Sequence, residues 1–242
     1  MAHKKTVFNK LRGVVLRPLL DAVALLTLWV PIKKGRCVLL LDDCAYGNVR
    51  ALAQYIKKKP IPNLSTVLVV RKKKKSLLEA KKFGLPFYTK SNPLSYWYKI
   101  TAEFQITETN VKLHGTINST VINLWHGMPL KKIILDDRFV DKTNKIVVPS
   151  KRLKNSVLVG RLRSPDYIIS PGGVDADAKL KSAFGVQDKQ CLKYGYPRTD
   201  IFFAPDKKEF DALGLPENKK IFLYMPTFRD TGKNPFDEQI VD

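Results

Sequence analysis

Short apolar runs alternate with helix-patterned polar stretches along most of this chain. Residues 36–41 (RCVLLL) are almost unbroken in apolar character, which predicts a strand buried on both faces of a parallel sheet. Gly47 and Asn48 follow, and residues 49–58 then place Val49, Leu52, Ala53 and Ile56 at helical spacing. Residues 64–70 (LSTVLVV) predict a second strand, 76–82 a helix and 86–88 a short strand. Pro93 opens a predicted helix to residue 101, and strands are expected at 104–107 and 121–125. Pro129 predicts a further helix just beyond His126 and Gly127. Downstream, strands are expected at 145–148, 191–194 and 221–225, with helices at 150–158 and 205–213. A turn is expected at 170–173 and a linker at 216–220. This alternation predicts an α/β fold: an open, mostly parallel sheet with helices on both faces.

The segment 121–132 (VINLWHGMPLKK) concentrates the candidate chemistry. In open α/β sheets, side chains at the carboxyl ends of strands line the crevice where ligands bind. His126 stands at such an end, and imidazole is the side chain suited to proton transfer near neutrality. Gly127 leaves room for close approach of backbone or ligand. The competing reading is a packed or solvated histidine with no catalytic part.

Charge narrows the partners. The 242 residues carry 43 Lys+Arg against 22 Asp+Glu, a net charge of +21, so a polyanionic partner is expected: nucleic acid, anionic lipid or a phosphate-rich substrate. No recognised RNA- or DNA-binding motif accompanies the Tyr96-Trp97-Tyr98 cluster, and the positive charge is spread along the chain, so nucleic acid is the least favoured. With 44% hydrophobic residues a sizeable core is available. The three cysteines, Cys37, Cys44 and Cys191, include no Cys-x-x-Cys pair, and no two histidines have ligand spacing, so neither a disulfide framework nor a metal site is expected.

The amino terminus reads as a separate element. Basic residues from Lys4 to Arg17 precede an apolar stretch at 19–30, and Lys33, Lys34 and Arg36 close it. That stretch is too short to span a bilayer, which takes about 20 apolar residues. The expectation for 1–35 is a helix lying in the membrane interface, with Trp29 at the boundary and cations on anionic head groups. A helix packed on the chain's own domain and a signal peptide are the alternatives. The run Arg71 to Lys75 reads as a solvated loop or helix start, with a lipid contact as the second reading.

Three segments, LWHGMPLKKI (124–133), YGYPRTD (194–200) and LYMPTFRD (223–230), together with GNVRALAQYI (47–56), resemble the CDP-glycerol glycerophosphotransferases that build poly(glycerol phosphate) teichoic acids and related capsular polymers. The resemblance runs from about residue 36 to the end. It implies a GT-B-like architecture: a complete Rossmann-like, acceptor-side domain at 36–215, then 216–242 as linker and first strand of a truncated nucleotide-binding domain. It further implies transfer of glycerol phosphate from CDP-glycerol to a membrane-bound, lipid-linked or polymer acceptor with release of CMP. His126 takes the implied role of catalytic general base. Gly127, Lys131, Arg198, Thr227 and Arg229 are the implied substrate-binding residues, and no cofactor is implied. The implied location is peripheral, on the cytoplasmic side of the cell membrane. Met128 departs from the threonine common in the family at that place. A non-catalytic membrane- or acceptor-binding remnant, and a GT-B transferase using another activated donor such as CDP-ribitol, are the alternatives.

Overall fold

The structure, a computed structural model, describes residues 26–41, 47–70, 74–109, 111–112, 116–136, 162–203, 211, 214 and 219–222. Its first strand, β1 (Lys33–Leu41), buries Cys37, Val38, Leu39 and Leu41, as the apolar run requires. Helix α1 (Asn48–Lys58) turns Val49, Ala53 and Ile56 inward. Strand β2 (Ser65–Val70), helix α2 (Lys74–Lys82) and strand β3 (Phe87–Thr89) complete the first half. Helix α3 (Pro93–Ile100) begins where the pattern placed it: the Asn92 side chain accepts from Leu94 N–H at 2.9 Å, and Pro93 supplies a pre-set φ in the first turn.

The second half contains β4 (Ala102–Thr107), β5 (Val111–Lys112), β6 (Thr120–Asn123), β7 (Leu162–Arg163), β8 (Tyr167–Ile169), helix α4 (Val174–Phe184) and β9 (Cys191–Leu192). Seven strands form one sheet in the order β3-β2-β1-β4-β6-β8-β9, and every pairing in it is parallel. Strands β5 and β7 pair antiparallel apart from it. The chain winds outward from β1 to β3, returns to β4 beside β1, and then winds the other way. That reversal is the Rossmann-like arrangement, and it opens a crevice at the carboxyl ends of β1 and β4.

Alternation along the strands divides the core. Leu39, Leu41, Leu68 and Val70 meet Val49 and Ala53 of α1, Ala80 of α2 and Phe83 just beyond it. Val38, Val69 and Ala102 pack on the other face, with Tyr98 of α3 against them. Trp125, Ile168, Leu180 and Phe184 join the end of β6 to β8 and α4.

Three expectations are corrected. No helix starts at Pro129: residues 124–133 run irregularly into a short 3-10 turn at Ile134–Asp136. A residue before proline is pushed out of the helical region, and the buried Pro129 and the packed Ile133 and Ile134 hold the segment against α4 rather than coiled on itself. Strand β6 ends at Asn123, not at Trp125, and β9 ends at Leu192, not at Tyr194. Helix α4 was not anticipated, although its signals are present. Asp175 and Asp177 occupy the first turn, and Gly185 closes the helix at φ +64°. Its buried face combines Leu180 and Phe184 with Ala176, Ala183 and the polar Asp177, so the apolar contrast is faint.

Around the amino-terminal end, the described residues contain a 3-10 turn at Thr27–Trp29, after which β1 begins at Lys33. Asn118 Nδ2 donates to Thr27 O at 2.6 Å and so ties the turn to the domain. Leu26, Leu28, Trp29 and Ile32 are exposed beside it. Residues 1–25, and with them most of the expected interfacial helix, lie outside the described residues, as do the run 71–73, the elements expected at 145–148 and 150–158, and the boundary expected at 215/216. The chain divides into a compact unit Met1–Phe203 and a second unit Ala204–Asp242. Among the described residues, no helix is long and apolar enough to cross a membrane.

Candidate functional site

The crevice is built from the chain segments that follow β4, β6 and β9 and from the start of α1. Glu108 follows β4 and is buried. Its Oε2 accepts from the backbone N–H of Asn48 at 2.6 Å and of Val49 at 3.2 Å. These are donors that an α-helix leaves unpaired at its start, where the helix dipole also favours a negative charge. Gly47 is required here. Its φ is +116°, and a Cβ on it would stand 2.4 Å from both Glu108 carboxylate oxygens.

His126 lies one turn of loop beyond β6. Trp125 adopts φ +51°, an unusual conformation for a bulky residue, and the sharp turn sends the indole inward and the imidazole outward. The turn is held at both ends of Trp125: its N–H donates to Asn123 Oδ1 at 2.8 Å, and its carbonyl accepts from Asn48 Nδ2 at 2.7 Å. The indole packs edge-on against Phe184 with ring centroids 4.9 Å apart. The imidazole of His126 lies tilted over that indole at 3.8 Å.

The protonation pattern of His126 follows from its partner. Nδ1 is 2.8 Å from the main-chain carbonyl oxygen of Glu108. A carbonyl oxygen only accepts, so Nδ1 carries the hydrogen, and in the neutral ring the lone pair is at Nε2. His126 is exposed, with Nε2 as its remaining polar atom.

Arg198 comes to the same place from the far end of the sheet. Pro197 starts a 3-10 turn at Pro197–Phe202, and Arg198 N–H donates to Asn48 Oδ1 at 3.3 Å. The guanidinium lies 5.8 Å from the Tyr196 ring centre, and its Nη2 is 3.7 Å from where a Cβ on Gly127 would stand. Tyr196 is buried and donates its hydroxyl to the Gly127 carbonyl at 3.1 Å. Burial pushes the Tyr196 phenol up to about 12, which keeps it a hydrogen donor.

Thus His126, Gly127 and Arg198 converge, with Gly127 at φ +157° and the Arg198 guanidinium in ordinary contact distance of its Cβ position. Lys131 is exposed farther along the same segment. Thr227 and Arg229 lie outside the described residues. Sequence reasoning missed Asn48 and Glu108, which hold the others in place. The available signal was a pair of polar residues, one opening a helix and one directly after an apolar strand. Among the described residues, no cluster of three or more His, Cys, Asp or Glu side chains is placed to hold a metal.

The sequence profile of the family described as CDP-Glycerol:Poly(glycerophosphate) glycerophosphotransferase matches residues 23–241. The chain belongs to this family. Among glycerophosphotransferase relatives, the teichoic acid poly(glycerol phosphate) polymerase of Bacillus spizizenii is 29% identical over 192 residues, covering 76% of this chain and 46% of the relative. The teichoic acid glycerol-phosphate primase of Bacillus subtilis is 34% identical over 144 residues, covering 55% and 35%. The chain therefore spans less than half the length of these relatives. A solved structure of the wall teichoic acid polymerase TagF, a histidine-to-asparagine variant soaked with CDPG, superposes with a TM-score of 0.63 at 21% identity, covering 94% of this chain and 56% of that one. This likeness supports the α/β, GT-B-like fold expected from the glycerophosphotransferase resemblance.

Proposed function

We propose that this chain carries the acceptor-side half of a glycerophosphotransferase reaction in teichoic acid or capsule polymer synthesis, with His126 as general base. The observation that carries this reading is the Nδ1–H bond to the Glu108 carbonyl, which leaves the exposed Nε2 as a proton acceptor. Nε2 takes the proton of the acceptor's terminal hydroxyl. That oxygen forms a bond to the β-phosphorus of CDP-glycerol, the bond from this phosphorus to the bridging oxygen breaks, and CMP leaves with the electron pair. The transferred phosphate carries negative charge throughout, so preorganised cations lower the barrier. Arg198 offers a planar fork suited to phosphate oxygens. Lys131, Thr227 and Arg229 add charge and a hydroxyl in the same proposal, with Gly127 lining the approach.

In this reading the acceptor is membrane-bound, lipid-linked or polymeric, and the enzyme works as a peripheral protein on the cytoplasmic side of the membrane. Exposed Leu26, Leu28, Trp29 and Ile32, followed by Lys33 and Lys34, give the described part of the amino-terminal segment an apolar face with cations beside it. Such a face seats in an anionic bilayer interface.

The test is CMP release from CDP-glycerol in the presence of vesicles bearing a glycerol-phosphate-primed lipid acceptor. His126→Ala is expected to lower the rate by about 10² to 10⁴, the range for loss of a positioned base, with thermal unfolding unchanged. Release by the variant at the parental rate refutes the assignment. CDP-ribitol in parallel assays the other donor class, and faster release from it reassigns the substrate without touching the base.

A further inference from the structure

A groove with a volume of about 660 Å³ lies between the segment leaving His126 and the exposed side of α4. Lys131, Lys132 and Lys179 line it, all exposed, against a single carboxylate, Asp136. That carboxylate is engaged: Ser182 Oγ donates to Asp136 Oδ1 at 2.6 Å, which fastens the segment to α4 and forms one end of the groove. Lys132 and Lys179 make no ion pair among the described residues. Pro129, Leu130 and Leu135 add apolar surface to the lining of the groove. Its volume falls within the range of small-molecule sites. Pro129 follows His126 by three residues, so the groove opens within about 11 Å of it, the longest reach of three extended residues.

Cations beside apolar lining suit a chain of phosphodiesters joined by short aliphatic polyol units. Each phosphate meets an ammonium while the carbon backbone covers Leu130 and Leu135. We infer that this groove is the acceptor subsite, holding the phosphodiesters that precede the attacking hydroxyl, with Lys132 and Lys179 as their counter-charges. The inference rests on the reading of His126 as the base for a polymer acceptor. It explains what that reading leaves open, namely how the end of a long flexible polyanion is kept at one imidazole. A chain held behind its reacting end loses most of its freedom before the reaction, so part of the barrier is removed in binding.

The experiment uses the whole 242-residue chain and a short, water-soluble oligo(glycerol phosphate), with Kd measured by titration calorimetry at fixed low salt. The double substitution Lys132→Gln/Lys179→Gln is expected to weaken binding about tenfold, as two partly screened charge contacts would. Lys132→Arg/Lys179→Arg restores it, which a structural defect would not allow. Lys58→Gln/Lys81→Gln removes equal charge from α1 and α2 and leaves Kd unchanged. An unaltered Kd in the groove variant, an equal loss in the α1/α2 control, or no binding by the parent chain overturns the inference. Weaker binding to phosphatidylglycerol vesicles with undiminished oligomer binding also overturns it and gives the groove to lipid head groups. The base assignment is read from CMP release instead. A His126→Asn variant that binds the oligomer normally yet releases CMP at the parental rate sinks that assignment while the groove stands.

Discussion

Replacing Asn48 by aspartate changes one amino group to an oxygen and leaves the side-chain shape almost intact. The amide is fully buried and its orientation is fixed by its neighbours. Nδ2 donates to Trp125 O at 2.7 Å and to Leu124 O at 3.2 Å, and Oδ1 accepts from Arg198 N–H at 3.3 Å. Carbonyls only accept and an amide N–H only donates, so no flipped amide satisfies all three. Asn48→Asp keeps the contact to Arg198 but turns both others into oxygen facing oxygen. Each buried acceptor left without its donor costs about 1–3 kcal/mol, and the new carboxylate also sits near that of Glu108. A negative charge at the start of α1 returns about 0.3–1 kcal/mol. The net expectation is a loss of about 3 kcal/mol, or roughly 6–12 °C in melting temperature for a unit of this size. Thermal unfolding followed by circular dichroism at pH 7 reads this directly. Asn48→Ala, which removes all three bonds without adding charge, should fall between the parent and Asn48→Asp. CMP release should drop in both, because the Trp125 carbonyl anchors the turn that presents His126. An Asn48→Asp protein that melts within about 1 °C of the parent, well under the shift expected for the unpaired carbonyls, would mean that the amide does not join these segments.

Other outcomes follow from the same contacts. Gly47→Ala forces a Cβ to 2.4 Å from the Glu108 carboxylate at a φ that L-residues avoid; it should lower stability by about 2–4 kcal/mol in urea unfolding, and equal stability would disprove the close contact. Asp177 is held below the usual carboxylate range, first by the Ser170 hydroxyl and then by Lys193, whose Nζ is 3.0 Å away. Its folded pKa is depressed, so its contribution is present above the unfolded value and is lost as pH falls through the folded one. Asp177→Asn should therefore melt lower than the parent at pH 7, and the gap should close under acid conditions; a gap that widens in acid would reverse the argument.

Most of the sheet's first half was legible because its information is local. The runs at β1 and β2 are apolar on both faces, the period of α1 matches 3.6, and Asn92-Pro93 is a start signal that works through two neighbouring residues. The candidate base was legible for the same reason, as a histidine at the end of an apolar run. Helix α4 fell short of notice because its buried face holds two alanines and the charged Asp177 beside Leu180 and Phe184, which leaves little apolar contrast.

By itself, then, the sequence determined the alternation of strands and helices, the excess of positive charge and the residues crowded around His126. Tertiary structure decided what those residues can do. The Glu108 carbonyl that sets the His126 tautomer, the Asn48 amide that joins α1 to the turn and to Arg198, and the Tyr196 hydroxyl on Gly127 all link residues far apart in the chain. The groove beyond them exists only because α4 packs beside the segment that leaves the turn. Periodicity reaches across one helical turn or one strand pair. Which carbonyl meets which ring nitrogen is set by the parallel crossovers, and these bring the carboxyl ends of separated strands to a single crevice.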